Sequence, residues 1–519
     1  MPAKTYGVDR RTFAKYLSSL ALVPLLDQQV EGRILQQPKF SDNPFSLGVA
    51  SGEPAPDGVV IWTRLAPEPL AGGGMPPEFV NVRWQVATDE AMTEVVAKGN
   101  VTATPQLAHA VHVEVKGLEP DRWYFYQFKA GRETSPVGRT KTAPKWNTMP
   151  DKLRFAFASC QHYEYGYFTG YEHMCEEDLD LVVHLGDYIY EYGGRDNLVR
   201  KHHGPEIVTL DHYRERYAQY RLDPLLQLAH QKFPWLVTWD DHEFDNNYAN
   251  LVSEEEGIAP EEFLYRRINA YQAYYEIMPL RKASLPQGPN MKLYRKVRYG
   301  RLADFHVLDT RQYRSDQPNG DGNKDVVDKV LDAHAQMLGE QQEGWLMANL
   351  LRSKSVWNVL AQQVMMARVN RGTPEKRLFS MDQWPGYDVS RTRLLQFIAD
   401  RKVPNPVVLT GDIHTNWVND LRVDFDDENS PTIATEFVGT SMTSGGNGGK
   451  PIAEYERAVA QNDFIKWHNA ERGYVSCTLT PQTWQSDFRS VPFVDKPGAP
   501  LIKRASFVVE AGQPGAKPA

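Results

Sequence analysis

The chain has 519 residues, 41% hydrophobic and 24% charged, which is enough for a large buried core and about two or three structural units. Against 66 acidic residues stand 58 basic ones, and the formal charge of −8 excludes a broad cationic surface holding a stable nucleic-acid complex. Mean hydropathy is −0.52, and no apolar run approaches the ~20 residues that cross a bilayer, so an integral membrane protein is excluded. Three cysteines, Cys160, Cys175 and Cys477, exclude a disulfide scaffold and leave at least one thiol free or ligating.

Residues 1–40 read as a leader. Asp9-Arg10-Arg11-Thr12-Phe13-Ala14-Lys15 precedes a short apolar stretch, Tyr16 to Leu26, softened by Ser18 and Ser19. The pattern resembles a twin-arginine signal, which implies the twin-arginine export machinery as a partner and a periplasmic or secreted destination for an already folded protein.

Residues 44–144 read as a small all-β sandwich of the fibronectin or immunoglobulin sort. Short alternating segments at Val59 to Trp62, Val82 to Val86, Val111 to Val115 and Trp123 to Phe128 are separated by turns such as Pro54-Ala55-Pro56-Asp57-Gly58. Thr140 to Pro150 is a linker. Over residues 150–500 continuous apolar runs alternate with helical stretches, Leu210 to Leu228 and Glu262 to Tyr275 among them. Runs without period-two alternation fit strands buried on both faces, so this part is α/β. Residues 501–519 read as a last strand followed by a disordered tail from Gly512.

Four apolar runs end in a metal-ligating residue type. Leu153 to Ser159 leads into Cys160, and Leu181 to Leu185 into Gly186-Asp187-Tyr188-Ile189-Tyr190. Trp235 to Trp239 leads into Asp240-Asp241-His242-Glu243, and Val407 to Thr410 into Gly411-Asp412-Ile413-His414. In open α/β sheets ligands gather outside the carboxyl ends of the strands. Each residue alone has an ordinary structural explanation, a buried small hydrophobe for Cys160 or a helix cap for an aspartate. Four strand ends presenting a thiol, a phenol, carboxylates and imidazoles together point to at least two metals. Thiolate and phenolate suit an iron-like ion, and aspartate oxygens suit a hard cation such as calcium or magnesium.

GDxxY, the Asp240 to Glu243 block and a late GxxH share the layout of calcineurin-like and purple-acid-type metallophosphoesterases. With Cys160, Leu308 to Arg314, Ala361-Gln362-Gln363-Val364 and Gly439 to Gly446 added, the chain resembles the alkaline phosphatase D family, with Asp240-Asp241-His242-Glu243 and Cys160 standing where the wider group has Gly-Asn-His-Glu and Asp. The resemblance implies a four-layer αββα metallophosphatase-type sandwich behind the β module. It implies hydrolysis of phosphomonoesters and phosphodiesters with iron and calcium, zinc and manganese being the other metals compatible with the ligands. Carried over by motif, Asp187 bridges the metals, Cys160 and Tyr190 bind the iron side, and Asp241, Asp412 and His414 complete the cluster. Tyr213, Tyr217 and Tyr220, at helical spacing, are alternative sources of the phenolate. His242 polarises the phosphate, protonates the leaving group or orients Asp241. Arg311, with Arg314, clamps a phosphate oxygen or else forms a structural ion pair. The implied substrates are small phosphate esters, with phospholipid or nucleotide diesters as neighbours in chemistry. An exported binding protein with a structural metal is the alternative from another class. No Gly-x-Ser-x-Gly elbow supports a serine hydrolase, and Ser441 to Gly446 reads as a flexible loop near the site.

Overall fold

The computed structural model describes residues 34–450 and 452–519. The twin-arginine pattern at 9–26 lies outside the described residues. By internal contacts the chain forms two compact units. One gathers the described residues up to Ala143 with Glu191–Trp235 and Glu255–Lys292; the other gathers Pro144–Tyr190, Leu236–Glu254 and the described residues of Leu293–Ala519. The stretch expected as one continuous catalytic domain over 150–500 is therefore shared, two of its segments joining the β module's unit.

The first unit is built on the β module. Strands Phe79–Ala87, Val95–Ala103, Trp123–Ala130 and Gly138–Lys141 form one sheet; Val49–Ala55, Gly58–Arg64 and Ala110–Lys116 belong to another. Their inward residues, among them Val59, Ile61, Val82, Val86, Val113, Tyr126 and Phe128, make one core. The module starts earlier than residue 44, because Ile34–Leu35 already pairs in parallel with Phe79 and Val80. The single helical stretch expected from Leu210 to Leu228 is two helices, Leu210–Arg221 and Pro224–Lys232. The break is local chemistry. Pro224 cannot donate within a helix but suits a first turn, and the Asp223 carboxylate accepts from Leu225 N at 3.0 Å and Leu226 N at 3.3 Å as the cap of the second helix.

The second unit holds two facing sheets. One runs Gln513–Pro518, Ile502–Glu510, Thr483–Val491, Arg472–Leu479, Leu153–Ala158, Leu181–His184. The other is seven-stranded: Arg295–Tyr299, Ala303–Val307, Trp357–Ala361, Pro406–Thr410, Thr432–Val438, Asn416–Arg422, Ile465–Asn469. Phe155, Phe157 and Val183 from the first meet Phe305, Val359, Leu409 and Phe437 from the second in a core closed by Trp484 and Phe488. On the far side of the seven-stranded sheet, helices Gly339–Arg352, Asp388–Asp400 and Ala453–Gln461 cover a second core that includes Leu346, Leu360, Leu394, Val408 and Ala458. The short helix Thr169–Met174 lies on the outer face of the first sheet, where Gly170 faces Tyr474. This is the αββα layering. The tail expected to be disordered is ordered, because Gln513–Pro518 pairs antiparallel with Ile502–Glu510 and Ala516 N donates to Asp420 Oδ1 at 3.1 Å. No helix among the described residues is long and apolar enough to cross a membrane.

The strands Leu153–Ala158 and Leu181–His184 run parallel, as do Ala303–Val307, Trp357–Ala361 and Pro406–Thr410. Their carboxyl ends carry the residues singled out by sequence.

Candidate metal centre

Each of these strand ends turns sharply. Cys160, Asp187, Asp412 and His414 adopt positive φ values of 58°, 54°, 65° and 57°. Non-glycine residues in that region are uncommon and strained, and such strain clusters where a side chain must be aimed. Gly186, at φ 112°, is required by close approach: a Cβ there would sit 2.4 Å from both the backbone nitrogen and the Cβ of Asp240. Gly186 therefore lets the loop bearing Asp187 touch the loop bearing Asp240 and Asp241.

The turns bring the candidate ligands together. Donor atoms of Cys160, Asp187 and His414 lie within 4.8 Å of one another, as do those of Asp187, Asp241 and His242, and those of Asp240, Asp241 and Asp412. Asp187 and Asp241 each belong to two of these groups, so the three are one continuous cluster. The Tyr190 hydroxyl donates to Asp187 Oδ2 at 2.8 Å and lies 3.3 Å from His414 Nε2. Its ring stands between His162 and His242, with centroids 4.2 and 4.1 Å away. Tyr190 is thus the tyrosine in the cluster. Tyr213 and Tyr220 are buried in helix Leu210–Arg221 with their hydroxyls on Arg266 Nε and His202 Nε2. The site opens at His414, whose side chain is 34% exposed while that of Asp187 is 2% exposed.

Charge is concentrated beyond what the protein groups themselves balance. Burial pushes the carboxyls of Asp187 and Asp240 up, and that of Asp412 up to about 6. Burial also raises Asp241, but Arg311 and His242 face it and hold it below the usual carboxylate range. The Cys160 thiol is raised by burial and then by Asp187; Tyr190 is raised in the same way. His414 is pushed down to about 3 by burial, with Arg472 adding to the effect. Asp187 Oδ1, Asp240 Oδ2 and Asp241 Oδ1 accept no hydrogen bond among the described residues, although Arg311 Nη2 lies 3.6 Å from Asp241 Oδ1. Buried carboxylate oxygens normally find donors. Three oxygens without them, beside a thiol, a phenol and the imidazole of His414, are a donor set that fits cations.

Arg311 does not take the place expected of a phosphate clamp. It is fully buried: Nε reaches Asp240 Oδ1 at 2.5 Å, Nη1 reaches Asp382 Oδ1 at 2.8 Å, and Nη2 reaches Asp412 Oδ1 at 2.9 Å. All three nitrogens are engaged with carboxylates, which leaves no free edge for a ligand. Arg314 is likewise buried, bonding Asp382 Oδ1 at 2.7 Å and the Tyr248 and Asn247 carbonyls. The segment Ser441 to Gly446 is also not a loose loop. Ser441 to Ser444 are buried, and Ser444 Oγ lies 2.7 Å from both the Cys160 carbonyl and the Tyr190 hydroxyl.

Several positioning residues escape sequence reasoning. Glu243 accepts from the backbone nitrogens of Asp187 at 3.0 Å, Tyr188 at 2.5 Å and Asp240 at 2.8 Å, clipping the two ligand-bearing loops together. Gln383 Nε2 donates to Asp412 Oδ2 at 2.5 Å, and Gln363 ties Thr238, Trp239, Leu308 and Thr310 into one network. The Glu243 and Gln363 positions fall inside quoted motifs, so they could have been found; Asp382 and Gln383 sit in a stretch with no distinguishing pattern.

Residues 155–488 match the PhoD-like phosphatase family and residues 30–144 match the PhoD-like phosphatase N-terminal domain. The chain is 52% identical over 516 residues to alkaline phosphatase D of Bacillus subtilis (strain 168), covering 98% of this chain and 88% of that one. It superimposes on a solved structure of PhoD with a TM-score of 0.91 at 53% identity, covering 93% of each chain. The chain belongs to the PhoD-like phosphatase family and is a phosphoric ester hydrolase of that family.

Proposed function

We propose that this enzyme is an exported phosphatase and phosphodiesterase that releases phosphate from small esters, with iron and calcium in the centre built around Asp187. The observation that carries the reading is the set of buried carboxylate oxygens on Asp187, Asp240 and Asp241 that accept no hydrogen bond among the described residues. Cys160, Tyr190 and Asp187 would hold iron; Asp241, Asp412 and His414 would complete the cluster. When bound, such ions lower the pKa of water towards neutrality and offset negative charge on a phosphoryl group.

The chain's own residues do the rest. Asp187, turned into the site by its left-handed backbone, presents a carboxylate that Glu243 fixes from behind through the Asp187 nitrogen. Arg311 holds Asp240 and Asp412 apart and neutralises part of their charge, a positioning role in place of the substrate clamp. His242, its ring 4.1 Å from that of Tyr190, supplies a proton to the leaving oxygen or polarises the phosphoryl group. His414 stands at the opening and is the first of these groups that an entering ester meets. The test is turnover of p-nitrophenyl phosphate and bis-p-nitrophenyl phosphate before and after chelation. Hydrolysis of both, lost on chelation and restored by iron with calcium, is the expected result; turnover that survives metal removal would overturn the reading. Stoichiometric metal with no turnover would favour an exported binding protein.

A further inference from the structure

A second charged site lies in the same unit at the opposite end of the strands. Strands Ala303–Val307 and Trp357–Ala361 leave the metal centre at their carboxyl ends; their amino ends open onto a cavity of about 580 Å³. Five strand residues at ~3.3 Å each set the two about 17 Å apart. Three loops wall the cavity: the turn holding Trp146, the turn at Gly300 and Arg301, and the connection at Arg352 and Lys354. The walls are fixed by backbone, not by the cations. Arg301 N donates to the Thr148 carbonyl at 2.7 Å, and Val356 N to the Arg301 carbonyl at 2.9 Å. A Cβ on Gly300, at φ 57°, would meet Thr148 O at 2.7 Å, so the first two loops touch.

Four cations line this space in a protein whose net charge is −8. Arg298 is committed to Asp304 at 2.8 Å. Arg301, Arg352 and Lys354 are exposed and make no side-chain ion pair or hydrogen bond among the described residues. Beside them Trp146 is 65% exposed, an unusual cost for the largest aromatic side chain. Unpaired guanidiniums favour phosphate, and an exposed indole offers a face for a planar ring. The volume is that of an ordinary small-ligand pocket.

We propose that this cavity binds a nucleoside phosphate, its base on Trp146 and its phosphate on Arg301, Arg352 and Lys354, as a regulatory or retention site separate from the metal centre. The experiment is calorimetry of the full-length enzyme with α,β-methylene-ADP, in which carbon replaces the bridging oxygen. Two binding events are expected in the wild type. Arg301→Ala with Lys354→Ala should weaken one of them at least about tenfold, and Trp146→Ala should weaken the same one. Turnover of p-nitrophenyl phosphate without nucleotide should be unchanged in these variants. A single event that p-nitrophenyl phosphate displaces and that no variant alters would overturn the proposal. So would methylenediphosphonate or polyphosphate binding the cavity as tightly as the nucleotide, because Trp146 would then have no role.

Discussion

Two groups of buried carboxylates lie in the larger unit, and they differ in one respect. Glu436 is enclosed beneath the strand ends, where its oxygens accept from Met366 N at 2.6 Å, Ala367 N at 3.1 Å, Thr410 Oγ1 at 2.9 Å and Asn419 Nδ2 at 3.0 Å. Asp187, Asp240 and Asp241 are as deeply buried, yet each keeps an oxygen that accepts no hydrogen bond among the described residues. Burial alone therefore does not mark a ligand; an oxygen that accepts no hydrogen bond sets Asp187 and Asp241 apart from Glu436, whereas both oxygens of Asp412 are held, by Arg311 and Gln383. Glu436 ties a strand end to the loop at Met366 and Ala367. The aspartates remain open to a cation. Glu243, with three backbone donors, falls on the Glu436 side although it sits two residues from Asp241.

The largest effect that would break this contrast belongs to Asp187. Asp187→Asn keeps the shape and removes the charge, and should lower turnover of either p-nitrophenyl ester by about a thousandfold or more with unchanged folding. Near-normal activity would remove Asp187 from the centre. Glu436→Ala should do the reverse. It strands two backbone nitrogens and destabilises the protein by about 3 kcal/mol or more in urea unfolding, while metal content per folded molecule stays normal.

Arg311→Met sharpens the contrast from the cationic side. It leaves buried Asp240 without its cation and Asp382 with Arg314 alone, and should cost about 3–5 kcal/mol of stability. A substrate clamp would instead raise KM and leave unfolding unchanged. Cys160→Ser tests the assignment of iron. The wild type should absorb visible light through thiolate or phenolate charge transfer, and the variant should shift or weaken that band. A colourless, fully active wild type would point to zinc or manganese.

The smallest effect is a control on groups outside the comparison. His306 is held down to about 4 and His184 to about 3 by burial, below the ordinary 6.5. The unfolded chain then binds more protons than the folded one between about pH 6.5 and 4, so their contribution is present at neutral pH and lost as pH falls through that window. Stability at pH 5 should be lower than at pH 7 by on the order of 2 kcal/mol for each. Equal urea midpoints at the two pH values would contradict it.

Much of this was legible in the residues. Runs such as Val407 to Leu409 declare strands buried on both faces, and the ligand types follow directly where each run stops. The unread parts share a cause: they depend on partners far along the chain. Arg311 looks like a phosphate ligand until Asp240, Asp382 and Asp412 close around it from three other segments. The glycine- and serine-rich stretch at Ser441 has the composition of a loose loop, but Met442 N bonds the Ser159 carbonyl and Thr443 Oγ1 the His162 carbonyl. The polar tail after Gly512 has weak strand propensity and is ordered by the sheet edge it joins.

The most direct test of the central claim is elemental analysis of the wild type and the Asp187→Asn variant, both purified without chelator. The wild type is expected to bind iron and calcium in stoichiometric amounts, and the variant to lose both while remaining folded. Equal metal content in the two proteins, or none in either, would contradict a centre organised on Asp187.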